Sequence, residues 1–256
     1  NNDVCIPRTF SMSEQKYNRS KLSLSKLTFH KLDWLEYITI GLGLWFWIYP
    51  EPYVILFTAL LSIPIIGLLL NGITGRPSIA SLVEISQDGE GNDKYDVADF
   101  IDFAAWIILL RVILDYEFES FYSMIIPGTI AFVIVLIILF ATHSIIDKST
   151  KSKGWIYLSL IFNVFLYSYA ATYGANCVYD KSTPTVYDAE VVDKRISKGR
   201  KHTTYYVKVT PWGHHYDKEE ITVSSSHYDE IQIGQSVKID LKKGVFNIPW
   251  YYIERE

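Results

Sequence analysis

The stretch SMIIPGTIAFVIVLIILFATHSII, Ser123 to Ile146, decides the architecture of this chain. It carries no formal charge, and His143 is its one ionisable group. Lipid offers no hydrogen bonds to a bare backbone, so a run this apolar is stable in a bilayer only as a helix. Roughly 20 apolar residues, each rising 1.5 Å, cross a hydrocarbon core. Every other segment is then placed by the side of the bilayer it occupies.

Four more segments read the same way. Trp34 to Tyr49 is short, but Trp34, Trp45, Trp47 and Tyr49 suit interfacial aromatic belts. Pro50-Glu51-Pro52 ends it, since a proline cannot donate to a continuing helix. Tyr53 to Asn71 follows, kinked at Pro64 and open to a close neighbour at Gly67. The pattern predicts spans over residues 34–49, 53–71, 99–116, 123–146 and 155–176. The third is the weakest, because Arg111 and Asp115 interrupt it.

Lys and Arg in short loops set orientation. The tail, residues 1–33, holds Arg8, Lys16, Arg19, Lys21, Lys26 and Lys31. The second connection holds Arg76 and Lys94, and the fourth holds Lys148, Lys151 and Lys153. The Pro50 and Glu117 turns hold none. This alternation predicts a cytoplasmic N-terminus, five spans and an extracytoplasmic domain over residues 177–256. If the third segment does not cross, that domain returns to the cytoplasm. Residues 1–20 lack a charged stretch followed by an apolar core, so they do not read as a cleavable signal. Cys5 and Cys177 fall on opposite sides in this scheme and are expected to be free thiols.

The C-terminal region alternates with the strand period of two. Tyr205, Val207 and Val209 share one face and Tyr206 and Lys208 the other. About five short strands are expected, over 186–196, 203–210, around Ile221 and Val223, and over 237–241 and 245–253, with a helical turn at 226–231. The fold class is therefore an α-helical membrane bundle of about five spans plus a small all-β barrel or sandwich. The twelve basic and twelve acidic residues of 177–256 balance, and the whole chain is net −4, which argues against nucleic acid as a partner.

The run Tyr205-Tyr206-Val207-Lys208-Val209, then Ile231-Gln232-Ile233-Gly234-Gln235-Ser236-Val237, then Gly244 and Ile248-Pro249-Trp250-Tyr251, resembles the small β domains that follow the helices of uncharacterised bacterial multi-pass membrane proteins. The resemblance implies a bacterial cytoplasmic (inner) membrane location and carries no chemistry with it.

Candidate sites follow from residue type and spacing. Arg111 and Asp115 are four apart on one helical face, and with Asn163 they make a candidate intramembrane polar site. The acidic run Asp88 to Asp99 half-matches a calcium loop, but Asp93 stands where glycine is needed and Asp99 replaces the final Glu. A solvated loop capping the next helix is the simpler reading. His214 and His215, adjacent in sequence, point to opposite faces of a strand and do not share a metal readily. Ser224-Ser225-Ser226-His227 lacks a nucleophile elbow. Lys194, Arg195, Lys198, Arg200 and Lys201 form a basic hairpin tip. No catalytic, metal or cofactor set is predicted. Trp212, Tyr216, Trp250 and Tyr251 are candidate anchors for a protein partner, or else pack the small core. The leading expectation is a non-catalytic membrane protein presenting its β domain to a partner. A transport or channel component and a membrane enzyme are the alternatives.

Overall fold

The computed structural model describes residues 32–73, 75–87, 93–146, 152–199 and 203–254. The basic tail and the 147–151 connection lie outside the described residues, as do residues 88–92 of the calcium-like loop and residues 200–202 of the hairpin tip.

Helices form in all five apolar segments: α1 (Asp33–Ile48), α2 (Tyr53–Ile73), α3 (Asp102–Asp115), α4 (Tyr122–Thr142) and α5 (Lys153–Val178). Three of them, α2, α4 and α5, are long and apolar enough to cross a membrane, at 21, 21 and 26 residues. Of the five spans expected, three meet the length of a crossing helix and two fall short of it. The 16 residues of α1 and 14 of α3 rise only about 24 and 21 Å, against a hydrocarbon core of roughly 30 Å. α1 stops where Pro50 follows, and α3 starts late because residues 99–101 form a turn after a strand.

The five helices alternate in direction. At one end Tyr53 of α2 meets Asp115 of α3, and Thr58 of α2 meets Tyr179 just past α5. At the other end Asn71 of α2 meets His143 after α4, and the Arg76 guanidinium donates to the Phe140 carbonyl. Glycines set the close approaches along the way. A Cβ on Gly67 would lie 2.4 Å from the Phe100 ring, and one on Gly174 would lie 2.5 Å from Phe57. The far end is closed by a one-turn 3-10 helix, Ile79–Leu82, and a hairpin of β1 (Val83–Gln87) and β2 (Asp93–Val97).

The α3–α4 connection, read from sequence as a plain loop, contains a two-residue strand, β3 (Glu117–Phe118). It is the first strand of the C-terminal sheet. After α5 come β4 (Thr185–Lys198), β5 (Thr203–Val209), β6 (Glu219–Val223), the short helix α6 (Ser225–Glu230), β7 (Ser236–Lys242) and β8 (Trp250–Ile253). The antiparallel order is β3-β8-β7-β4-β5-β6. β4, β5 and β6 form a meander and β7 returns beside β4, which is a Greek key. α6 lies between the third and fourth strands of the C-terminal run.

β4 is long enough to serve both halves. Residues 185–190 pair with β7 and residues 191–198 with β5, with a register shift between Val191 and Asp193 that bends the strand. The sheet is nearly closed by side chains. The Glu117 carboxylate accepts a 3.2 Å bond from the Thr222 amide of the β6 edge, and the Tyr251 hydroxyl donates to Glu219 at 2.8 Å. Val191, Val207, Val209, Ile221 and Ile239 fill the interior with no measurable exposure. Their alternation along the strands is the one the sequence shows.

Candidate functional site

Arg111 and Asp115 end α3 where the bundle meets the barrel. The closest approach of the pair is Arg111 Nε to Asp115 Oδ2, 2.8 Å. The same carboxylate oxygen accepts from the Tyr53 hydroxyl of α2 at 2.8 Å. The guanidinium carbon lies 6.0 Å from the centre of the Phe46 ring of α1. One charged pair therefore joins three helices. Its side chains are about one-fifth exposed, at 20% and 23%. They face a cavity of about 210 Å³, with Arg111, Leu114 and Asp115 on the bundle side and Thr203, Thr204, Tyr205, Thr222, Val223, Ser224 and Ser225 on the barrel side.

Asn163, the third predicted member, is elsewhere. It is buried in α5, where its amide donates to the Ser159 carbonyl at 3.2 Å and its oxygen has no hydrogen-bond partner among the described residues. The α5 residue packed on Val112 is Gly174. Eleven residues separate Gly174 from Asn163, or about 16 Å of helix.

Of the four aromatic candidates, Tyr216 alone exposes its ring to solvent, and Trp212, Trp250 and Tyr251 are buried. Trp212 stacks on His215 with centroids 4.3 Å apart and meets Tyr251 edge-on at 5.0 Å, inside the barrel. Burial first, and then the bond to Glu219, push the Tyr251 phenol well above its ordinary value. Burial, with a bond to Asp240, raises Tyr252 to about 12.

Trp250 belongs to a polar junction that sequence reasoning missed. Asn176, fully buried near the end of α5, donates to the Ile248 carbonyl at 2.8 Å and accepts from the Phe246 amide at 2.9 Å. Asp180 accepts from the Trp250 indole at 2.9 Å and from the Gly244 amide at 3.0 Å, while Ser182 N binds its other oxygen at 2.7 Å. Burial disfavours the Asp180 carboxylate, but the bonds from Ser182, Trp250 and Gly244 outweigh it and hold the group below the usual carboxylate value. Gly244 has φ +73°, and a Cβ there would lie 2.2 Å from the Asn176 amide oxygen. Tyr116 meets Trp250 edge-on at 5.2 Å, so the end of α3 joins the same junction. The one sequence signal was Asn176 itself, a carboxamide in an otherwise apolar helix end.

The remaining motifs are structural. Ser224 caps α6, its hydroxyl accepting from the His227 amide at 3.3 Å. Lys194 turns inward, bonding the carbonyls of Tyr228 and Ile231 and covering the Tyr228 ring at 4.1 Å. Arg195 pairs with Glu220 at 2.7 Å on an exposed face. Among the described residues no group of three or more His, Cys, Asp or Glu side chains is placed to hold a metal ion. Asp93 and Asp96 lie in β2 and Asp99 in the turn before α3. Comparison with protein-family models, curated proteins and solved structures finds no match for this chain.

Proposed function

We propose that this chain is a non-catalytic membrane protein whose bundle crosses the bilayer five times and holds its barrel fixed at the extracytoplasmic surface, where the barrel binds a protein partner. The observation that carries the reading is the polarity of the bundle. The connections at the barrel end, residues 49–52 and 116–121, contain no Lys or Arg. In sequence the basic tail precedes α1 and the basic 147–151 segment lies between α4 and α5, and the helix ends that they adjoin are at the opposite end, where Arg76 also lies. That is the asymmetry of the positive-inside rule. Exposed Trp34, Tyr37 and Trp155 stand toward one end and exposed Trp47, Tyr49 and Tyr122 toward the other. These two sets of three rings support α1 and α3 as short members of the crossing set, bridged by interfacial residues and local bilayer thinning. The resemblance noted from sequence supports a bacterial cytoplasmic membrane.

Partner binding is supported by how the barrel is held. The ends of α3 and α5 and the β7–β8 loop fix it, so its outer surface is preorganised rather than tethered. Tyr216 and Ile233 stand exposed on that surface. The β7–β8 loop is occupied in binding Asn176 and Asp180, which leaves the faces carrying Tyr216 and Ile233 for a partner.

The test is a photo-cross-linking amino acid at Tyr216 or Ile233 in native membranes. The reading expects one discrete adduct with the same protein, absent when the probe replaces lipid-facing Ile130. Solute or ion flux in liposomes containing the pure protein, abolished by Arg111→Ala, would instead favour the transport alternative.

A further inference from the structure

We propose that the cavity between α3 and the barrel is a headgroup site for one phosphatidylethanolamine-type lipid, with Arg111 taking the phosphate and Asp115, supported by Tyr53, taking the ammonium. The inference rests on the membrane reading above. Arg111 and Asp115 sit in the last turn of α3, at the bundle end marked by exposed Trp47, Tyr49 and Tyr122. That is the depth of lipid headgroups.

The charge pattern selects the ligand class. The bundle wall offers one guanidinium and one carboxylate 2.8 Å apart, and the barrel wall offers the hydroxyls of Thr203, Thr204 and Thr222. A purely anionic headgroup would meet Asp115, whereas a zwitterion satisfies both charges. A primary ammonium has N–H donors for a carboxylate, and a trimethylammonium has none, so the site distinguishes ethanolamine from choline. Arg111 faces Asp115 through Nε, and a guanidinium carries five N–H donors, so its terminal nitrogens keep donor capacity for a phosphate.

Size and surroundings agree. The cavity, about 210 Å³, is smaller than pockets for drug-sized ligands, which run from roughly 300 Å³ upward. It suits a headgroup whose chains remain in lipid. Leu114 lines it, and one and two turns deeper along α3 stand exposed Leu110 and Trp106, with exposed Ile113 beside them. Spacing of four residues puts Trp106, Leu110 and Leu114 on one stripe. The stripe gives an acyl chain an apolar track from the cavity into the bilayer.

The test uses the purified full chain in detergent, titrated separately with palmitoyl-oleoyl phosphatidylethanolamine, phosphatidylcholine and phosphatidylglycerol and with soluble phosphoethanolamine, bound ligand being counted by native mass spectrometry. The site predicts one phosphatidylethanolamine held about tenfold more tightly than either other lipid, the scale of one charged hydrogen bond. Asp115→Asn removes the preference over phosphatidylcholine, and Arg111→Gln removes retention of both. Thr204→Val on the barrel wall weakens retention without touching the ion pair, so a folding defect in the charge variants does not decide the outcome. Equal retention of the three lipids, a preference that survives Asp115→Asn, or tighter binding of soluble phosphoethanolamine than of the lipid overturns the assignment. A carbonate wash separates this failure from that of the membrane reading: protein that stays in the membrane pellet leaves the latter intact.

Discussion

The serine and threonine hydroxyls of the bundle and the buried polar groups of the junction beneath the barrel are satisfied by opposite means. In the bundle, most hydroxyls bond to their own helix. Thr39 donates to the Leu35 carbonyl, Ser168 to Val164 and Thr172 to Ser168, each four residues back. At the junction the partners are far apart in sequence, 72 residues for Asn176 and Ile248 and 70 for Asp180 and Trp250. A local bond survives as long as its helix does. A long-range bond exists only when two folded units are docked, so it reports the docking itself. Those bundle hydroxyls thus tolerate change, and the junction carries the link between bundle and barrel.

Four substitutions rank that contrast. Asn176→Ala strands the buried Ile248 carbonyl and the part-buried Phe246 amide. Two unsatisfied groups cost about 2–6 kcal/mol, to be read as a lower unfolding midpoint in detergent. Gly244→Ala comes next, because a side chain at φ +73° is strained and collides with the Asn176 amide. About 1–3 kcal/mol is expected, with the barrel loosening before the helices in hydrogen exchange. Glu117→Ala removes the acceptor that seals the β6 edge and costs about 1 kcal/mol, whereas Glu117→Gln keeps an oxygen there and changes little. Ser168→Ala, by contrast, costs under about 0.5 kcal/mol, since a hydroxyl bonding back to its own helix adds little. If Ser168→Ala proved as damaging as Asn176→Ala, the distinction between the two regions would collapse.

Asp180 adds a pH dependence to the junction. Its carboxyl is held below the ordinary value in the folded chain. The stabilisation is therefore complete above the unfolded carboxyl pKa of about 3.9 and is lost as pH falls through the lower folded value. Unfolding midpoints of the wild type should fall below about pH 4, and Asp180→Asn should flatten that fall. An unchanged slope in the variant would mean that Asp180 does not hold the loop.

The helices and most strands were legible because their signals are local. The apolar runs mark α2, α4 and α5, and the period of two marks β5 and β7. Boundaries failed where a competing feature intervened, as at the turn of residues 99–101 that shortens α3. β3 was illegible because two residues, Glu117 and Phe118, cannot show a period. β2 was hidden by Asp93, Lys94 and Asp96, whose charges read as a solvated loop. Arg111–Asp115 was legible because helical spacing alone brings the two together, and Asn163 was grouped with them only because depth along a helix is invisible before the helices are registered. Hydrophobicity likewise does not separate an anchor on a surface from a ring in a core, and Tyr216 stands outside while Trp212, Trp250 and Tyr251 are within. The Asn176–Asp180 junction lay beyond any local window.

The central claim is that the tail and the barrel lie on opposite sides of a membrane. A membrane-impermeant maleimide applied to intact cells, then to permeabilised ones, measures this directly, since Cys177 is buried and Cys5 reports the tail. The account predicts that Tyr216→Cys labels in intact cells while Cys5 labels only after permeabilisation. Both sites labelling in intact cells, or neither labelling until the cells are permeabilised, would mean an even number of crossings and would contradict it.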